Sequence, residues 1–432
     1  MSSILSSTSV LPDNADVLAH LRAELSKPSR LGAPPTSSSS IRKLPKPRKP
    51  KKGCELTPSS FRPHVLARDC LRHWTAPISD TFHASLVKHY NIADIVQLFN
   101  VLLVSVEPKT RENYGSGLLR FHQFCDSRNI PESRRMPASD NLLALFISSW
   151  AGKVASSTVE NWISGLHFWH NLHGAPWYGN ALLRMLTAGL NKLVPESSKR
   201  PRRPPVTLEH MHALYRFLDL SNAFDASVFA VASIAFWSCC RLGELVVDSV
   251  NSFDPSRHVA RSTTISRRRP VKGVSWSVFH IPWTKTTLGS GAKIILSHVS
   301  DLTNPVTALD HHISANAIVP SHAPLFAFET VNGGWSPMTR SWFIKRCNEI
   351  WRRAELSELT GHCFRIGGAT ELLLRGVPPD VVAVQGRWKS RAFLEYWRKI
   401  DSILPLFITS SFSDTRVAMI QASMNSFTRR YK

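Results

Sequence analysis

Side chains able to bind phosphate and to move protons are concentrated in residues 360–397, "TGHCFRIGGATELLLRGVPPDVVAVQGRWKSRAFLEYW". The segment places His362, several arginines, Trp388 and Tyr396 at intervals in sequence that otherwise reads as helical. Guanidinium groups pair with phosphate or carboxylate oxygens, and an imidazole can donate or accept a proton near neutral pH. A phenol can act as a nucleophile when it is suitably activated. Two further segments, "CCRLGELVV" and "PWTKTTLGSG", add an arginine, a glutamate and a lysine.

The order and spacing of these side chains resemble the tyrosine recombinase (phage integrase) family, in particular the crypton-like branch found in fungal mobile elements. The catalytic domain of that family has an R-x-x-E helix end, a lysine in a β-hairpin and an H-x-x-R helix start, followed by a second His or Trp and then a tyrosine. The matching residues are Arg241 with Glu244, Lys285, His362 with Arg365, Trp388 and Tyr396. His362 and Trp388 are 26 residues apart, which is the family interval.

The resemblance implies how a DNA phosphodiester would be held. Arg241 and Arg365 would neutralise a phosphate that gains charge in the transition state, because a planar guanidinium can bind two oxygens at once. Glu244 would orient Arg241 as a supporting partner. The indole N–H of Trp388 can donate to a phosphate oxygen but cannot carry a proton.

The resemblance also implies the nucleophile and the acid–base groups. Tyr396 would attack phosphorus to give a 3′-phosphotyrosyl link and a free 5′-hydroxyl. Lys285 would protonate the leaving 5′ oxygen, while His362 would accept the tyrosine proton or donate to the phosphate. Because the bond energy stays in the ester, no cofactor and no metal are expected, in agreement with the absence of a Walker loop or zinc spacing.

One interval departs from the family pattern. Trp388 precedes Tyr396 by eight residues, one fewer than in many relatives. One residue on a helix rotates a side chain by about 100°, so the loop "WKSRA" would absorb the difference, and the crypton-like pattern has the same shorter interval. Two other functions stay open: a type IB topoisomerase, which shares the chemistry but relaxes supercoils, and a domesticated DNA-binding protein that keeps the fold without activity.

The net charge of +22 and the pI near 10.1 favour a polyanionic partner, and double-stranded DNA is the default. A membrane surface would attract the same charge, but no run approaches the roughly 18 apolar residues of a spanning helix, so no membrane partner is expected. The N-terminal "MSSILSSTSVLPDNADV" has no basic residue before its short apolar patch, which argues against a secretory signal. We therefore expect the protein to stay inside the cell.

The cysteines give no metal or disulfide pattern. The seven are Cys54, Cys70, Cys125, Cys239, Cys240, Cys347 and Cys363. They are scattered, odd in number and without a C-x-x-C pair, which is poor spacing for zinc or for a disulfide framework. We expect reduced thiols.

Composition divides the chain into four parts. Residues 1–58 are predicted to be a disordered basic arm that ends in "IRKLPKPRKPKKG", a nuclear-import signal, a phosphate-binding tether or merely a solvating tail. The nucleus is the expected location. Residues 59–198 have helical periodicity and are predicted to be a core-binding, SAM-like DNA-binding domain of four or five helices, with Ser139 and Ser156 as N-caps. Residues 199–205 read as a basic linker, and 206–432 as the catalytic domain.

Residues 206–432 have a mixed pattern. "DASVFAVASIAFWSCC" predicts a long buried helix, and "HVARSTTISRRR", "SWSVFHIPW" and "AKIILSHV" predict three strands of a small antiparallel sheet. Helices are expected again from about 339–355 and through the segment that opens this section to about 400. The predicted fold class is mainly α with a small antiparallel β-sheet: a helical core-binding domain plus an α+β tyrosine-recombinase catalytic domain.

Two basic clusters are predicted to contact DNA phosphates, with surface solvation as the alternative for each. They are Arg200, Arg202 and Arg203 in the linker, and Arg267, Arg268 and Arg269 beside the sheet. The two domains would close on opposite faces of the duplex, so affinity should fall steeply with salt. The apolar stretch 403–424 would either pack in its own domain or dock into a neighbouring copy of the chain. A homo-oligomer on DNA, dimer or tetramer, is expected.

Overall fold

The computed structural model describes residues 14–27, 47, 55–199, 201–268, 275–389, 403–405 and 414–431. The chain divides into two compact units, Met1–Pro201 and Arg202–Lys432. The division falls within the segment that was predicted to be a linker. The described residues are mainly helical with a small antiparallel sheet, which confirms the predicted fold class in these terms.

The first unit is a bundle of helices around an aromatic core. Its helices are α1 (Asn14–Ser26), α2 (Cys70–His73), α3 (Pro77–Val87), α4 (Ile92–Val104), α5 (Pro108–Asp126), α6 (Asp140–Ser148), α7 (Ser156–Leu172) and α8 (Ala181–Lys192). Phe121, Phe146 and Trp169 are fully buried at its centre. The predicted helical periodicity of residues 59–198 is confirmed, with more helices than the four or five expected.

Two predictions for this unit are wrong in part. Residues 14–26 lie in the segment expected to be disordered, but they form α1 because Leu21 and Leu25 are buried in the core of the bundle. Ser139 caps α6 as predicted, by accepting from the Leu142 N–H at 3.2 Å. Ser156 is instead the first residue of α7, and its hydroxyl donates to the side-chain oxygen of Asn191 rather than capping the helix.

The second unit combines helices with two small sheets. Its elements are α9 (Leu208–Phe217), α10 (Ala223–Trp237), β1 (Ser266–Arg268), β2 (Trp276–Ile281), β3 (Ala292–Ser297), α11 (Pro305–Ala315), β4 (Phe328–Glu329), β5 (Trp335–Ser336), α12 (Arg340–Arg353), α13 (Gly361–Leu374), α14 (Pro379–Gln385) and α15 (Asp414–Tyr431). The strands β1, β2 and β3 form one antiparallel sheet in that order, with Val278 opposite Ile295. The three predicted strands are confirmed.

Helix α10 is the central helix of the second unit. Every side chain from Asp225 to Trp237 is buried, as the apolar run predicted. Its one acidic residue is paired: both carboxylate oxygens of Asp225 accept from Arg346 of α12, at 2.8 and 2.7 Å. Three residues, 238–240, connect the end of α10 to Arg241, so the packing of this helix helps to fix the position of that arginine.

Buried histidines make the stability of the first unit dependent on pH. Burial lowers the pKa of His83 to about 4 and that of His173 to about 3. In the unfolded chain the pKa is about 6.5, so below that pH the unfolded state binds protons that the folded state does not. The contribution of these two histidines to stability is therefore fully present above about pH 6.5 and is lost between there and about pH 4, by up to about 1.4 kcal/mol per pH unit for each histidine.

Urea unfolding curves of the protein between pH 4.5 and 7.5 measure this dependence. The ring of His83 packs against Phe99, with 5.4 Å between centroids, so His83→Phe should fit the site and flatten the pH dependence. His89→Gln, at an exposed position, is the control and should leave the slope as it is. An unchanged slope in His83→Phe would contradict this account.

Candidate functional site

Arg241 and Glu244 form a local pair just after α10. The chain turns at Cys239, which has a left-handed φ of 46°, and Arg241 then begins a short 3-10 turn, Leu242–Glu244. The backbone N–H of Arg241 donates to Glu244 Oε2 and its Nη1 donates to Oε1, each at 3.0 Å. The carboxylate therefore fixes both the backbone and the side chain of this arginine.

Glu244 also binds a second arginine, Arg387, which the sequence analysis did not single out. Arg387 Nη2 donates to Glu244 Oε2 at 2.7 Å, and its Nη1 donates to the carbonyl of Gln385 at 3.1 Å. Arg387 has a φ of 59°, so its backbone is held in a left-handed turn immediately before Trp388. Its place in "QGRW", between two residues that the site uses, was the available signal.

Arg365 lies on α13 and is held by backbone carbonyls. Its Nη1 donates to the carbonyl of Cys239, and its Nη2 donates to the carbonyl of Gly386 at 2.7 Å. Its guanidinium also stacks over the ring of Trp388, 4.0 Å from the centroid. The arginine predicted from H-x-x-R thus lies between the turn that carries Arg241 and the turn that carries Arg387.

The close packing of α13 against α10 makes the position of Arg365 possible. A Cβ on Gly368 would overlap the carbonyl oxygen of Phe236, and one on Gly367 would overlap that of Val206. Only glycine therefore lets α13 approach the end of α10 closely enough for Arg365 to reach the Cys239 carbonyl.

The three arginines differ in accessibility. The exposed fraction is 32% for the side chain of Arg241 and 16% for that of Arg387, whereas the residue Arg365 is fully buried. Burial, and then the positive charge of Arg241, lowers the pKa of Arg365. Three guanidinium groups face one carboxylate, and burial raises the pKa of the adjoining Cys239 thiol to about 12, so that thiol supplies no negative charge. The cluster has an excess of positive charge and suits an anion such as phosphate.

His362 and Lys285 occupy elements that adjoin this cluster. His362 is in the first turn of α13, half-buried, and three residues before Arg365, so the two side chains share one face of the helix. Lys285 is exposed on the connection between β2 and β3, where Thr284 and Leu288 form a bridge. The structure thus puts the lysine on a β-hairpin, as the sequence predicted.

Trp388 lies beneath Arg365 rather than at the surface. It is 7% exposed, and it packs so closely on Gly386 that a Cβ there would overlap its ring. It belongs to a small apolar cluster with Leu373, Val382 and Ile403.

The remaining predicted residues are not brought together by the described structure. Tyr396, Arg200 and Arg269 lie outside the described residues, and Arg268 is described only as a strand residue of β1. Arg202 and Arg203 are exposed at the start of the second unit. Arg267 is exposed and forms an ion pair with Asp310 of α11.

Among the described residues, no group of three or more His, Cys, Asp or Glu side chains is placed to hold a metal ion. The six cysteines in these residues are free and buried. No helix found in the same part of the chain has the length and apolar character needed to cross a bilayer.

Comparison of the sequence with protein families and with curated proteins gives no match. Comparison with solved structures gives DNA-bound recombinases. The XerH site-specific recombinase bound to palindromic difH substrate, in a post-cleavage complex, is 13% identical and has a TM-score of 0.49, over 80% of this chain and 93% of that one. The Tn1549 transposon integrase in complex with transposon right end DNA is 13% identical with a TM-score of 0.42, over 78% and 99%. A lambda integrase dimer bound to a COC′ core site is 14% identical with a TM-score of 0.40, over 71% and 95%.

Proposed function

We propose that this protein is a tyrosine recombinase, an enzyme that cleaves and rejoins double-stranded DNA through a 3′-phosphotyrosyl intermediate. The observation that carries the proposal is the cluster of Arg241, Arg365 and Arg387 around Glu244. Its positive charge is fixed before any ligand binds, which is how an enzyme stabilises charge that develops on a phosphate. The sequence resemblance, which also includes Lys285, His362, Trp388 and Tyr396 in the family order, supports the same assignment.

In the proposed reaction, Tyr396 Oη attacks phosphorus as its proton passes to His362. The bond from phosphorus to the 5′ oxygen breaks, and that oxygen takes a proton from Lys285 and leaves as a hydroxyl. Arg241 is the arginine of the cluster with the most exposed side chain, so it is assigned to the phosphate oxygens. Arg387 and Glu244 hold it in place. Reversal of the same steps with a different 5′-hydroxyl rejoins the strands.

The proposal extends to partners and location. Both units are proposed to contact DNA phosphates, in keeping with the net charge of +22. Oligomerisation on DNA, a mobile-element origin and a nuclear location are proposed from the sequence alone. The basic segment that motivates the nuclear location lies almost wholly outside the described residues.

One observation favours a second candidate, a DNA-binding protein without strand-cleaving activity. Arg365 is fully buried, and both of its Nη groups donate to backbone carbonyls. In this arrangement it supports the fold of the site and does not reach a phosphate. Such a protein would bind DNA with strong salt dependence and form no covalent product.

A nicked suicide duplex separates the two candidates. Cleavage near the nick releases a short 5′-hydroxyl fragment that diffuses away, so the covalent intermediate accumulates. We expect a protein–DNA adduct that survives denaturation and carries the 3′ phosphate of the cleaved strand. DNA binding without an adduct, on duplexes that include the ends of the element carrying the gene, would favour the second candidate.

A further inference from the structure

Three consecutive residues at the end of α14 each contact a different part of the candidate site. Arg387 binds Glu244, and the Gly386 carbonyl accepts from Arg365. Gln385 Nε2 donates to two carbonyls, that of Trp237 at 3.2 Å and that of Ile295 at 3.1 Å. The first two contacts belong to the arginine cluster, whereas the third reaches strand β3.

Ile295 connects this turn to the hairpin that carries Lys285. β3 is an edge strand of the described three-stranded sheet, so its outward carbonyls have no strand partner there. The Ile295 carbonyl accepts from Gln385 and also from Ser238 Oγ, at 2.9 Å. Ser238 lies between the end of α10 and Arg241. Strand β3 of the hairpin is therefore held through this one carbonyl by two residues that lie next to the arginine cluster.

Contacts near the tip of the hairpin involve other residues: Thr284 is buried and bridges Leu288, and the Arg257 guanidinium lies over the Trp283 ring, 4.7 Å from its centroid. Ten residues, 282–291, connect β2 to β3, and Lys285 is exposed among them. The position of its ammonium group relative to the cluster thus depends on how firmly the strands are held.

We propose that Gln385 is a positioning residue for Lys285, in that its bond to the Ile295 carbonyl sets the hairpin in register with the arginine cluster. This inference rests on the proposed function, because it requires Lys285 to protonate the leaving 5′ oxygen. Loss of the bond removes the proton donor from its place and leaves the bonds between Arg241, Glu244 and Arg387 intact, so the defect is confined to the protonation of the leaving group.

A substrate with sulfur in place of the bridging 5′ oxygen tests this. Tyr396 Oη still bonds to phosphorus, but the bond that breaks is P–S, and the sulfur leaves as a thiolate. A thiol ionises at about pH 8.5, far below an alcohol, so the thiolate needs no proton. Single-turnover adduct formation is measured with matched oxygen and sulfur suicide duplexes.

Gln385→Met keeps the length of the side chain and removes its N–H donors. We expect it to slow cleavage of the oxygen substrate about 10-fold to 10²-fold, which is at or below the smallest rate loss usually seen when a general acid is removed. The rate of cleavage of the sulfur substrate should stay within about 3-fold of wild type. Lys285→Ala should give the same pattern with a larger loss. Arg241→Ala should slow both substrates.

Two buried serines, Ser238 and Ser233, provide a second test and its matched control. Ser238→Ala removes the other donor to Ile295 and should give a smaller defect of the same kind. Ser233→Ala removes a buried hydroxyl for which no hydrogen-bond partner is found among the described residues, and it should change neither rate.

Equal slowing of both substrates in Gln385→Met, or of neither, overturns the positioning role while wild-type cleavage still supports the proposed function. If Lys285→Ala is equally slow on both, the lysine is not the acid and the inference falls with it. If wild type forms an adduct with neither duplex, the proposed function itself fails, and this inference fails as a consequence.

Discussion

Tyr396→Phe protein should bind DNA and yet form no covalent adduct on the nicked suicide duplex. The substitution removes one oxygen, the atom that would bond to phosphorus, and keeps the ring that fills the same space. The arginine cluster is untouched, so affinity for DNA should stay within about 3-fold of wild type at equal salt. Denaturing gels measure the adduct, and a mobility-shift titration measures binding.

Tyr431→Phe is the matched control, because Tyr431 is the chain's sole tyrosine beyond position 396. It lies at the end of α15 and should leave the adduct at the wild-type level. An adduct that persists in Tyr396→Phe and disappears in Tyr431→Phe would move the nucleophile to α15. If the adduct persists in both variants, neither of the two tyrosines that follow the arginine cluster is the nucleophile.

Arg241→Ala should slow single-turnover cleavage by about 10²–10³-fold, the usual loss when one preorganised donor to developing charge is removed. The fold should survive, because Glu244 keeps its 2.7 Å bond to Arg387 and is not left as an unpaired buried charge. Binding of uncleaved DNA should weaken much less than the rate. Adduct formation over time measures the cleavage rate, and a mobility-shift titration measures binding of uncleaved DNA. Thermal unfolding checks that the fold survives.

Arg352→Ala is the corresponding control on α12. Arg352 is exposed and pairs with Glu358 at 2.6 Å, so its loss removes an equal charge from a surface ion pair of small worth. A cleavage rate close to wild type is expected. Similar losses in both variants would mean that general charge, rather than the geometry around Glu244, governs the rate.

The sequence predicted elements best where one strong pattern decided them. The apolar run that became α10 and the three β-branched runs that became β1 to β3 lie where they were expected. The helix α11 was missed although its signal was present: Asn304 caps it by accepting from the Val306 N–H at 3.0 Å, and Pro305 is its first residue. Val306, Leu309 and Ile313 also recur at helical spacing, so the information for this helix was in the sequence and went unused.

The candidate site was predicted less completely than the fold. R-x-x-E is a local pair, so spacing alone predicted the bond between Arg241 and Glu244. The bond from Arg387 to the same carboxylate spans 143 residues and depends on a left-handed backbone at Arg387, which no side-chain pattern reports. The burial of Arg365 against the ring of Trp388 is likewise a product of helix packing and could not be read from H-x-x-R.

The two adjacent glycines of α13 limit how this protein can be engineered. Each glycine inside a helix costs about 1 kcal/mol relative to alanine, so Gly367 and Gly368 would be the first positions chosen in a thermostabilisation campaign. Alanine at either would push α13 away from the carbonyls of Val206 or Phe236. Substitutions meant to raise heat resistance should therefore keep both glycines and be placed on solvent-facing helices instead.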